Sequence, residues 1–207
     1  MVKRATKKQR GQHTRSIKKM IVTGLEGKNV TEKQYLNHFN SLSKKYRIIF
    51  SKGNSSDPVG IVEDTIKSLK SYDFDFELGD KAFCLIDTDY GKVREKNLID
   101  AIDLAKKNNI DVLLTNPTFE IWFLLHFKYS TRQYSSNEDV IVELRRYIPN
   151  YEKNLDVFSK ISNLLNVAVE NSKKLENYHN RNGSITIMER CPSTRIFELV
   201  NLLLNDD

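Results

Sequence analysis

Residues 82–86 read Ala-Phe-Cys-Leu-Ile, five apolar side chains in succession with no polar alternation. A strand with one wet face alternates, whereas a strand covered on both faces does not. Such a run requires helices above and below its sheet, the arrangement of parallel α/β domains. Three other short runs have strand character: 20–24, 47–51 and 111–114. Helical patterns separate them. Thr31 as N-cap with Gln34 three residues on predicts a capping box, followed by Tyr35, Leu36, Phe39 and Leu42 on one face. Pro58 suits a first turn, and Val59, Val62, Ile66 and Leu69 carry that helix to about residue 70. Leu98, Ala101, Ile102 and Ala105 mark a third over 97–107, and 119–127 is apolar enough to be an enclosed helix. Four alternations with crossovers of this length predict a four-stranded, mostly parallel sheet flanked by helices. From residue 138 the pattern is helical, over 138–147, 157–175 and 193–204, with a polar loop at 177–184. The expected organisation is a basic tail (1–19), an α/β core (20–135) and a helical extension packed on it (136–207).

Composition narrows the function classes. No uninterrupted apolar stretch approaches the ~20 residues of a membrane span. The basic N-terminus lacks the apolar segment of a secretory signal. Cys84 and Cys191 form neither a disulfide framework nor a metal-ligand spacing, and Cys84 sits within the buried strand. A cytoplasmic protein without membrane contact is expected. Of 33 basic residues, eight fall in 1–19, where there are no acids; the remaining 25 face 27 acids, so the body is about −2. The net charge of +6 belongs to the tail. Lys7, Lys8, Arg10 and Arg15 are therefore candidate contacts to a polyanion such as nucleic acid, although a solvated terminus has the same composition.

Several acids stand where strands end. Glu26 follows the first, Asp87 and Asp89 follow the third, and Glu120 opens the apolar run after the fourth. In an open parallel sheet those ends share one rim, where ligands bind. Carboxylates converging there repel one another unless a cation holds them, and hard ions such as Mg²⁺ or Mn²⁺ take oxygen ligands. Taken singly, each has an ordinary explanation. Asp is common in turns, Glu32 and Glu120 suit helix first turns, and His126 fits a buried core histidine.

The same residues carry a resemblance. Ile21-Val22-Thr23-Gly24-Leu25-Glu26-Gly27, with Thr31-Glu32 and Tyr35, is similar to the opening signature of RloB-like proteins. Leu85-Ile86-Asp87-Thr88-Asp89 resembles the Asp-x-Asp motif of the Toprim-type catalytic fold attributed to that family. The most specific block is Asn116-Pro117-Thr118-Phe119-Glu120-Ile121-Trp122-Phe123-Leu124-Leu125-His126-Phe127. Cys191-Pro192-Ser193-Thr194 followed by Leu199-Val200 resembles the closing motif, with Cys191 in place of Asn. One residue more than usual separates Glu26 from the Thr31-Glu32 pair.

The resemblance implies an effector of a bacterial or mobile-element abortive-infection (anti-phage) system, working beside an ABC- or SMC-like ATPase. It implies a Mg²⁺- or Mn²⁺-dependent nuclease with a two-metal site, cutting RNA (transfer RNA among the candidates) or DNA. Asp87 and Asp89 would anchor one ion, with Glu26 sharing it or acting as general acid/base. Glu120 and Glu32 would complete a second, and His126 or a basic side chain would steady a phosphate. The alternative is a non-catalytic nucleic-acid or partner-binding subunit. Another Mg²⁺ enzyme, such as a phosphatase or an Asp-x-Asp glycosyltransferase, is disfavoured, because haloacid-dehalogenase phosphatases carry Asp-x-Asp on the first strand and here it follows the third.

Overall fold

A computed structural model describes residues 18–27, 30–88 and 95–205. Among them, five strands form one sheet: β1 (Lys19–Gly24), β2 (Tyr46–Phe50), β3 (Lys81–Asp87), β4 (Asp111–Asn116) and β5 (Ser193–Thr194). Their order is β2-β1-β3-β4-β5. The first four are mutually parallel, and β5 runs antiparallel to β4. This is the mostly parallel, helix-flanked sheet expected, extended by one short strand. That strand occupies residues expected to begin the last helix. Thr194 pairs with Thr115 and Ser193 with Asn116, and the Thr115 and Thr194 hydroxyls lie 3.0 Å apart.

The helices are α1 (Thr31–Asn37), α2 (Phe39–Leu42), α3 (Pro58–Ser71), α4 (Glu95–Lys107), α5 (Glu120–Leu125), α6 (Asn137–Leu144), α7 (Phe158–Ile161), α8 (Leu165–Arg181) and α9 (Ile196–Leu204). Side chains alternate across the sheet with period two. Phe83, Leu85 and Leu113 join a large core with Ile21, Trp122, Leu144 and Leu199. Ala82, Cys84, Ile86 and Val112 face the other way, against Ile61 and Val62 of α3 and Leu98 and Ala101 of α4. The unbroken apolar run in β3 is thus explained by two covered faces.

Local cues hold where they are self-contained. Asp57 caps α3, its side chain accepting from the Gly60 N–H, with Pro58 in the first turn. The capping box at Thr31 does not form: Val30 is the N-cap and no side chain caps it. Thr31 is instead engaged with a distant loop, accepting from the Asn154 N–H at 3.0 Å. The helix after it is interrupted at His38, and Leu42 is exposed rather than buried. The expected loop over 177–184 begins later, because α8 continues to Arg181 with Leu175 and His179 buried along it. The expected helix over 157–175 is divided by a 3-10 turn at Ser162–Leu164.

Candidate functional site

The order of strands reverses direction between β1 and β3, which are neighbours although β2 and α3 intervene in sequence. Such switch points open a crevice at the strands' C-terminal ends. Glu26 lies two residues beyond β1 and Asp87 ends β3, so the two flank this crevice. The loop carrying Glu26 lies flat on the loop before α3: the Gly27 N–H donates to the Ser55 carbonyl at 3.0 Å. A Cβ at Gly27 would collide with the Asn54 backbone.

Across the crevice, the chain leaves β4 at Asn116, and Thr88 and Asn116 tie the two strand ends together. The Thr88 hydroxyl donates to Asn116 Oδ1 at 2.9 Å, and Asn116 Nδ2 donates to the Ile187 and Met188 carbonyls. The next turn presents its groups to Asp87. Asp87 Oδ2 accepts from the Phe119 N–H at 2.9 Å and lies 3.3 Å from the Thr118 hydroxyl. That hydroxyl is 2.7 Å from Glu120 Oε2. One hydroxyl proton therefore serves two carboxylates.

Glu120 is 2% exposed. Its other oxygen accepts from the Tyr151 hydroxyl at 3.0 Å. Tyr151 is fully buried, and its phenol is held far above the ordinary range by burial and then by the Glu120 charge, so it remains a donor. Glu32, 5% exposed, lies within electrostatic reach of Glu120 and Glu26. Burial pushes its carboxyl up to about 8, and the charges of Glu120 and Glu26 add to the rise, against opposing contributions from its own backbone hydrogen bond and Lys153. Four of the five predicted acids are linked in this way: Asp87 to Glu120 through Thr118, and Glu120 and Glu26 to Glu32 electrostatically.

All these donors are carboxylate oxygens, the chemistry that suits a hard divalent ion. Among the described residues, however, no group of three or more His, Cys, Asp or Glu side chains is placed to hold a metal ion. Asp89, the second acid of the Asp-x-Asp motif, lies outside the described residues, as do Lys7, Lys8, Arg10 and Arg15.

His126 does not join the rim. It caps the opposite end of α5 from Glu120, roughly 9 Å further along the helix axis. Its ring is 1% exposed, Nδ1 donates to the Trp122 carbonyl at 2.9 Å, and burial pushes its pKa down to about 4. A neutral, enclosed imidazole in this place packs as a core residue. Thr118 and Tyr151, in contrast, were not expected at the site. Thr118 falls inside the motif block, but its neighbours do not show that it bridges two carboxylates. Tyr151 follows Glu120 by 31 positions, in a loop with no local signal.

Sheet and switch point together define an α/β protein with a five-stranded, mostly parallel sheet flanked by helices. A family model described as RloB-like protein matches residues 20–203. The chain belongs to that family. No curated protein and no solved structure matches it. Among the described residues no helix is long and apolar enough to cross a membrane.

Proposed function

We propose that the acidic rim is the active site of a metal-dependent nuclease, hydrolysing phosphodiester bonds in RNA or DNA within an abortive-infection system. The supporting observation is the crowding around Glu32. A buried carboxyl raised to about 8 by desolvation, with Glu120 and Glu26 adding to the rise, lies within electrostatic reach of acids near the β1–β3 switch point. A cation would relieve that crowding, and the oxygen-only donor set suits Mg²⁺ or Mn²⁺. Asp87, Asp89 and Glu26 would hold one ion, and Glu120 with Glu32 a second. Bound ions of this kind stabilise the attacking and leaving oxygens of an in-line displacement. The protein's own contribution is positional. Thr118 and the Phe119 N–H aim Asp87, and Tyr151 and Thr118 fix both oxygens of Glu120. Glu26, half-buried and two residues beyond β1, is the candidate proton acceptor.

On this proposal the protein acts in the cytoplasm beside an ABC- or SMC-like ATPase, the partner that the family resemblance implies. Purified protein should cut RNA or DNA when Mg²⁺ or Mn²⁺ is supplied, and Glu26→Ala or Asp87→Ala should abolish cutting. Sequencing RNA and DNA ends after brief expression of wild type beside Glu26→Ala identifies the target. Undiminished cutting by both variants would sink the assignment. The pairwise rather than clustered packing of the described acids also suits a non-catalytic binding subunit. Calorimetric titration of Mn²⁺ into wild type and Asp87→Ala separates the two, since the binding subunit takes up no ion.

A further inference from the structure

Helix α8 has one face in the core, through Ala168, Val169, Ser172, Leu175 and His179. Its outer face carries Lys174, Asn177, Tyr178 and Arg181 at i, i+3, i+4 and i+7, a single stripe on a helix. Tyr129, from the segment after α5, stands opposite that stripe. With Asn182 these residues line an open groove of about 500 Å³. Its composition is selective: two cations, two phenol rings, two amides and no acid. The acids of α8 are directed elsewhere. Glu170 pairs with Lys173, and Glu176 lines a separate cavity beside β5. Tyr129 and Tyr178 are 42% and 40% exposed, and Tyr178 meets the His179 ring edge-on at 5.4 Å, so part of each tyrosine stays open to solvent.

We infer that this groove binds single-stranded nucleic acid, with Tyr129 and Tyr178 stacking on bases while Lys174 and Arg181 neutralise phosphates. Stacking rings beside a basic track are what a strand with unpaired bases can use. A duplex hides its base faces, and an acidic peptide has nothing to lay on two phenols. Lys174 and Arg181 lie about 10 Å apart along the helix, spaced to follow a backbone rather than to clamp one anion. The amides of Asn177 and Asn182 offer donors and acceptors to base edges; Asn182 Nδ2 donates to the Tyr178 carbonyl, leaving its oxygen as an acceptor. The inference rests on the proposed nuclease for the strand's fate, but the binding step requires neither metal nor the acidic rim.

The test is fluorescence anisotropy of a labelled 20-nucleotide oligouridine with the full chain in EDTA, across a salt series. Tyr129→Ala with Tyr178→Ala should weaken binding about tenfold or more, while the double Phe variant, which keeps both rings, should bind like wild type. Lys174→Ala with Arg181→Ala should reduce the slope of log affinity against log salt by about 1.4, the share of two phosphate contacts on a single strand. Circular dichroism melts verify that each variant is folded; should the tyrosine variant not fold, the salt slope of the Lys174/Arg181 variant decides. Unchanged affinity in the folded Tyr→Ala variant would overturn the inference, as would an unchanged slope. Equal competition by a duplex or by polyglutamate would overturn it in favour of general polyanion binding. Loss of binding in the Tyr→Ala variant, with a wild type that never cuts in Mn²⁺, retains this groove and sinks the nuclease. Cutting that depends on Glu26, with oligouridine affinity untouched by the Tyr→Ala pair, does the reverse.

Discussion

Replacing Glu32 by Gln keeps the side chain's volume and removes its ionisation. In the folded protein burial raises the Glu32 carboxyl from about 4.5 to about 8. Below pH 4.5 the group is protonated in both folded and unfolded chains and contributes no pH dependence. Between pH 4.5 and 8 the folded state holds a proton that the unfolded state has released, so stability falls as pH rises. Above 8 the penalty is complete. The slope approaches ~1.4 kcal/mol per pH unit, and between pH 5 and pH 8 this group alone lowers stability by roughly 3 to 4 kcal/mol if the whole shift acts. Glu32→Gln lacks that slope. Urea denaturation of both proteins at pH 5, 6, 7 and 8 in EDTA isolates it by subtraction. Residues such as Asp64 and Glu143, whose carboxyls are held below their ordinary range by hydrogen bonds to Ser55 and Lys128 first of all, contribute equally to both proteins and cancel. The variant should gain on the wild type steadily with pH. Parallel stability profiles, agreeing within about 1 kcal/mol over this range, would refute the burial-driven rise assigned to Glu32 and remove the main support for a cation there.

Adding Mn²⁺ should flatten the wild-type pH profile and raise its stability most at pH 8, and this pH-dependent gain should be absent from Glu32→Gln; thermal melts with Mn²⁺ or EDTA check this. Tyr151→Phe deletes the donor to a buried Glu120 oxygen and should cost roughly 1–3 kcal/mol in chemical denaturation. A loss below about 0.5 kcal/mol would mean that Glu120 finds another donor. A Cβ at Gly24 would collide with Thr65 Oγ1, where α3 presses on β1. Gly24→Ala should therefore destabilise by ~1–3 kcal/mol, and adding Thr65→Ala should restore part of it, which a double-mutant cycle measures.

The alternation of strands and helices, the doubly covered β3 and the position of Glu26, Asp87 and Glu120 at or just beyond strand ends were all legible in the chain. Each depends on contiguous residues: side-chain period, turn chemistry and helix length are set by neighbours a few positions away. The limits of that legibility are equally local. Thr31 looks like a cap, but Asn154 engages it. His126 fits a core histidine on its own and a phosphate contact by resemblance, and the core around α5 encloses it. The strand order that sets β1 beside β3, the Thr118 hydroxyl shared by Asp87 and Glu120, and the Tyr151 donor come from tertiary structure alone. So do the rise of Glu32 to about 8 and the groove between Tyr129 and α8. Burial and electrostatic coupling arise between residues far apart in the chain. The acids could therefore be located from the sequence, while their charge states and partners had to await the fold.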